Sequence, residues 1–134
     1  MRNYILTALA YIVPTMILGL VWHLVIFVDL YHRLEIYNRP EPIIPLGFAS
    51  MIVQGIVMAY LYPFYAKGNS TVAKAITFSL TMGVFLFSIS TLANAAKINV
   101  TSITDWLLIQ SAFHLIQFLV AGVLIGLVYR NNVE

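Results

Sequence analysis

Four stretches of this chain contain no Lys, Arg, Asp or Glu: Ile5 to Val28, Ile43 to Tyr65, Ala75 to Ala96 and Trp106 to Tyr129. Each exceeds the roughly 20 apolar residues that an α-helix needs to cross the hydrocarbon core of a bilayer. The turns between them are short, so a water-soluble fold would have to bury nearly the whole chain. Composition closes that route, because 9% of the 134 residues are charged where soluble domains carry about 25%. The sequence therefore predicts an all-α, integral membrane four-helix bundle with lipid as its solvent, a single transmembrane domain over residues 1–134. Helices suit that setting because they bond every backbone N–H and C=O within the segment.

The first stretch is too long for the roughly 7–15-residue apolar core of a signal peptide and lacks a small-residue cleavage site. It runs directly into Asp29-Leu30-Tyr31-His32-Arg33 and reads as a retained span. The connection from Asp29 to Pro42 holds Arg39-Pro40-Glu41-Pro42, which favours extended backbone. Lys67-Gly68-Asn69-Ser70 marks a turn, and Ser102, Thr104 or Asp105 can cap the last span. Arg2, Lys67, Lys74 and Arg130 fall on one side of the spans, Arg33, Arg39 and Lys97 on the other. The positive-inside rule then places both termini in the cytoplasm. No basic run marks a nucleic-acid partner.

Met51-Ile52-Val53-Gln54 in the second span echoes His114-Leu115-Ile116-Gln117 in the fourth, as two tandem helical-hairpin repeats would. Gly122 and Gly126 form a small-xxx-small pair, and Gly55 with Ala59 and Ser79 with Gly83 form weaker ones. Such pairs serve close packing inside a bundle or a seam to a membrane-protein partner or a second copy. Pro14 removes a backbone hydrogen bond from the first span and is expected to kink it.

Polar residues inside the spans carry the functional question. At about 1.5 Å of rise per residue, His23, Gln54, Ser88 and His114 lie roughly 10–16 Å from the outer ends of their spans. Gln110, His114 and Gln117 share one helix face at i, i+4 and i+7, and Ser90 and Asn94 pair at i, i+4. Exposure of these groups to lipid is unfavourable, so they should turn inward and form a polar layer at mid-depth. Asp29, His32, Asn94 and Asp105 form its outer rim.

Three readings of that layer stand side by side. The side chains can serve as hydrogen-bonding glue between helices. His23, Gln54, Gln110, His114 and Gln117 can hold a small ligand, an ion or a proton relay. His23 and His114, at matched depth on two helices, can also supply the axial ligands of a b-type haem or bind a metal. No other metal set is legible: cysteine is absent and no spaced His or carboxylate motif supports one. Catalysis has less behind it, with no GxSxG, HExxH or phosphate loop and no Asp or Glu within a span. An accessory subunit of a membrane assembly is the leading expectation, a ligand-binding or transport module the alternative.

Several strings carry a likeness to known proteins. Val21-Trp22-His23, Pro40-Glu41-Pro42-Ile43-Ile44-Pro45-Leu46-Gly47-Phe48 and Gln54-Gly55 resemble a family of small bacterial four-span membrane proteins. Leu115-Ile116-Gln117-Phe118, Gly122 and Ile125-Gly126-Leu127 extend the resemblance to nearly the whole chain. That family is a domain of unknown function. The resemblance implies the fold and a place in the bacterial cytoplasmic (inner) membrane, and brings no catalytic residues.

Overall fold

A computed structural model describes residues 2–36 and 39–130. Four helices in it are long and apolar enough to cross a membrane: α1 (Arg2–Ile26), α3 (Ile44–Ala66), α4 (Val72–Ala95) and α5 (Ile103–Arg130). A short helix, α2 (Val28–Arg33), follows α1 after a break at Phe27. The sequence reading treats that segment as connection, and ends the first span two residues later than the structure does. No strand occurs among the described residues.

Two of the long helices are not α-helical throughout. Trp22–Ile26 in α1 and Ser88–Leu92 in α4 wind as π turns, each widening the helix by one residue. Both wide turns fall on the first helix of a hairpin. α1 continues through Pro14 as helix.

Helix ends are closed by side chains the sequence supplies for that purpose. The Thr71 hydroxyl accepts the Lys74 N–H at 3.1 Å and starts α4, three residues before the sequence reading begins it. Of the three cap candidates before α5, Ser102 does the work by accepting the Asp105 N–H at 3.3 Å. α3 stops where Lys67 turns left-handed, with φ 49°. The Lys74 ammonium then donates to the carbonyls of Ala66 at 3.3 Å and Asn69 at 3.0 Å. A cation at a helix C-terminus satisfies carbonyls that have no intrahelical partner.

Packing follows from small residues. A Cβ on Gly122 would stand 2.7 Å from the Ile76 Cα, and one on Gly126 would stand 2.7 Å from the Val72 Cα. The backbones of α4 and α5 therefore meet directly, and the face that could seam two copies is filled from within the chain. Gly55 similarly admits Ile12 of α1, and Gly83 admits the ring of Phe118. The Ser79 hydroxyl donates to the Phe118 carbonyl at 2.7 Å, fixing α4 on α5.

The helices pack as an open arc. α1 lies along α3 and α5, and α5 lies along α4. α5 is the most enclosed, with 44% of its apolar window buried against 17% for α3. α3 and α4 touch through Tyr62, Tyr65 and Phe78 beside their shared turn. At the other end α3 stands apart: residues 41–50 are exposed on every face, and nothing lies within 4 Å of a Cβ built on Gly47. A two-fold axis relating the two hairpins would make the α1–α5 and α3–α4 contacts equivalent. They differ, one close and the other parted.

Two apolar clusters hold the bundle. Tyr11, Met58, Tyr62, Phe78, Phe118 and Ile125 fill the half that holds the termini. Trp22, Tyr31, Leu34, Trp106, Ile109 and Phe113 fill the opposite half. The mid-helix polar groups fall between them.

Candidate functional site

The helical spacing read along α5 puts Gln110, His114 and Gln117 on one buried stripe, 4%, 7% and 4% exposed respectively. That stripe forms one wall of a cavity of about 430 Å³. His23 of α1 and Gln54 of α3 line the same cavity, so all five residues singled out from the sequence share it. Asn94 lines it as well, whereas Asp29, His32 and Asp105 are exposed at the rim and do not. Its volume falls in the range of about 300–1,000 Å³ typical of small-molecule pockets.

At the floor, three helices meet on one hydroxyl. Tyr11 donates to Gln54 Oε1 at 2.6 Å and accepts from Gln117 Nε2 at 2.9 Å. Gln117 Nε2 also reaches the Thr15 hydroxyl at 3.5 Å. The two echoed glutamines thus meet through a tyrosine from the first helix. Gln117 Oε1 is buried and has no hydrogen-bond partner.

The imidazoles have defined tautomers. His114 Nδ1 faces the Gln110 carbonyl at 2.8 Å and His23 Nδ1 faces the Gly19 carbonyl at 2.9 Å. A carbonyl can only accept, so each Nδ1 carries the proton and each Nε2 the lone pair. His114 Nε2 accepts from the Ser90 hydroxyl at 3.1 Å. Gln110 Nε2 donates to the Tyr31 hydroxyl at 3.1 Å, and Trp106 Nε1 to the Thr91 carbonyl at 3.2 Å.

Ser88 is a correction to the reading from depth alone. It is exposed and its hydroxyl turns back to the Phe85 carbonyl at 2.7 Å. The wide turn that starts at Ser88 brings Ser90 to the cavity instead, and Asn94 Nδ2 braces it by donating to the Ser90 carbonyl at 2.8 Å.

The residues present do not fit a bis-histidine haem. Axial ligation needs both Nε2 atoms aimed at one iron. His114 Nε2 is committed to Ser90, and the Phe113 ring packs on both imidazoles, 4.8 Å from His23 and 5.5 Å from His114 between centroids. Among the described residues, no group of three or more His, Cys, Asp or Glu side chains is placed to hold a metal ion.

Met51 and Gln54 of α3 and Leu86 and Ser90 of α4 all line the cavity. His23, with Leu24, Ile36 and Pro42, also lines an adjoining outer cavity of about 560 Å³ that includes His32 and Arg39. His23 stands where the two spaces meet, stacked on Tyr31 at 4.7 Å.

No family model, curated protein or solved structure matches the chain. The site must be read from its own chemistry. Among the described residues the lining has no Lys, Arg, Asp, Glu or Cys, so it offers no strong base and no thiol nucleophile. What it offers is neutral hydrogen bonding inside apolar walls.

Sequence reasoning missed Tyr11, Thr15 and Tyr31 as members of this network. A signal was present for the first two: Thr7, Tyr11 and Thr15 recur at i, i+4 and i+8, and they are the buried residues of the α-helical part of α1. Tyrosines near span ends are so often interfacial anchors that the stripe is easily passed over.

Proposed function

We propose that this chain is a multi-pass membrane protein that binds a small amphipathic molecule in the cavity between its helices. The observation that carries the reading is the convergence of His23, Gln54, Gln110, His114 and Gln117 on one 430 Å³ space with apolar walls. Gln54, Gln110, His114 and Gln117 hydrogen-bond to side chains of neighbouring helices and also border a shared space. Packing glue accounts for the hydrogen bonds; the space beside them is what supports a binding role.

Insertion in a bilayer is supported by the four long apolar helices and by their outward faces. Val25, Leu46, Val84 and Leu108 are each more than 60% exposed, a surface water would not tolerate in quantity. With α1, α3, α4 and α5 as the spans, both termini lie on the cytoplasmic side and the Pro40–Pro42 segment lies outside. Residence in the bacterial cytoplasmic membrane rests on the sequence resemblance.

The test is to express the chain, extract it in mild detergent and analyse the bound small molecules by mass spectrometry. One non-bulk molecule per chain is expected, reduced at least tenfold in Gln54→Leu and His114→Phe variants that keep their helix content. Recovery of bulk lipid alone, at the same level in wild type and variants, would refute a binding role. An accessory subunit would then be the remaining reading.

A further inference from the structure

We propose that a groove between α1 and α5, at the end of the bundle that holds the termini, binds one anionic phospholipid, with its phosphate on Arg2 and an acyl chain along the two helices. The groove shares no lining residue with the inner cavity, so this site does not depend on what the cavity holds.

The apolar walls come from helical spacing. Leu6, Leu9 and Ala10 fall on one face of α1, and Leu124, Leu127 and Val128 on one face of α5. The two faces border a groove of about 590 Å³. At about 1.5 Å of rise per residue, the stretch from Arg2 to Ala10 gives it a length of roughly 12 Å along the helix axis. That length accommodates the part of an acyl chain nearest its headgroup. The walls are as apolar as lipid tails, so by themselves they choose no lipid over another.

Selection comes from charge. Arg2 is the charged residue of this lining. Side chains on a helix lean toward its amino end. From the first position of α1, the guanidinium can therefore reach lipid phosphates while its stem stays over apolar surface. Its planar fork matches a phosphate through two parallel hydrogen bonds. α1 has no acidic residue in its first turn, and the positive end of its dipole adds to the attraction.

The surroundings carry the same sign. Lys67 follows α3 and Arg130 ends α5 at this end of the bundle. Lys74 is there too, donating to the Ala66 and Asn69 carbonyls. Among the described residues the carboxylates are Asp29, Glu35, Glu41 and Asp105, and all lie at the opposite end. A zwitterionic headgroup brings the same phosphate with a cation attached, which this end of the bundle repels. An anionic headgroup brings no such cation. In the orientation proposed above, the groove opens to the cytoplasmic leaflet, where anionic lipids give the membrane surface its negative potential.

The experiment titrates the detergent-solubilised full chain by native mass spectrometry with phosphatidylglycerol and phosphatidylcholine of identical acyl chains. One phosphatidylglycerol per chain should bind roughly fivefold tighter than phosphatidylcholine, the factor expected of one cation beside an anionic lipid. Arg2→Gln should bring the two lipids to within twofold of each other. Arg33→Gln removes the same charge at the far end of the bundle and should leave the preference in place. A phosphatidylglycerol with a photoactivatable acyl chain should label peptides holding residues 6–10 and 124–128 of the native chain. Equal binding of the two lipids would overturn the proposal, as would a preference that survives Arg2→Gln. Loss of the preference in Arg33→Gln to the same degree would reduce it to net charge, and labelling spread evenly over all four long helices would remove the groove. None of these outcomes touches the cavity reading, which the Gln54→Leu and His114→Phe extracts decide separately.

Discussion

Gln117 and Tyr11, 106 residues apart in the chain, are joined by a 2.9 Å hydrogen bond, and the same hydroxyl carries Gln54 at 2.6 Å. The first helix thereby holds both others at one depth. Tyr11→Phe keeps the ring, which packs 5.8 Å from Phe118, and removes the node. It should destabilise the bundle by about 1–3 kcal/mol, because two amides lose their common partner. Thermal unfolding in detergent would measure the loss, and an unchanged midpoint would show that the hydroxyl is not a structural tie.

Glycines at close approaches should behave oppositely to those in the open gap. Gly126→Ala places a methyl 2.7 Å from the Val72 Cα, where backbone must move. A loss of about 1–3 kcal/mol is expected from overpacking. Gly47→Ala meets nothing within 4 Å, and alanine's better helix propensity should make it neutral or up to about 1 kcal/mol stabilising. Paired denaturation curves in one detergent would decide. If Gly47→Ala proved as damaging as Gly126→Ala, the gap beside α3 would not exist in the protein.

Serines two positions apart should differ in the same way. Ser90→Ala removes the proton given to His114 Nε2 at 3.1 Å, whereas Ser88→Ala removes a bond to its own helix. Nitrogen NMR of the histidine rings should show the His114 Nε2 signal shift in the first variant and stay in place in the second. A response to Ser88→Ala instead would mean that the wide turn is absent and the helix runs as a regular α-helix.

Topology can be checked without removing any native thiol, since the chain has no cysteine. Lys97→Cys, beyond the end of α4, should react with a membrane-impermeant maleimide in intact cells. Lys67→Cys, at the turn between α3 and α4, should react only after permeabilisation. The reverse pattern would invert the orientation, and equal labelling of both would argue against insertion.

Much of this arrangement could be read before any coordinates. The four apolar runs mark the helices to within three residues at either end, because the absence of charge over such lengths leaves few alternatives. Gln110, His114 and Gln117 could be placed on one face because α5 is regular from Ile103 to Arg130. The wide turns could not be foreseen. Val21-Trp22-His23 and Phe87-Ser88-Ile89 contain no proline or glycine that would announce them. That is why depth along the helix selected Ser88, and why the neighbour two residues on is the one that meets His114. The break at Phe27 escaped notice for a similar reason, since its surroundings are as apolar as the span itself. Tyr11 was hidden differently: its ring belongs to the apolar core and only its oxygen belongs to the polar layer.

Each π turn holds one residue in excess of α-helical count, and a residue is worth about 100° of rotation about a helix axis. Deleting a single position within 22–26 would leave Thr7, Tyr11 and Thr15 where they are and swing everything beyond them, Tyr31 and Leu34 included, onto a different side. The same deletion within 88–92 would carry Asn94 away from its place beneath Ser90. The chain is keyed at these two points like a lock with two wards, and its length there is as much a determinant of the site as the identity of any side chain.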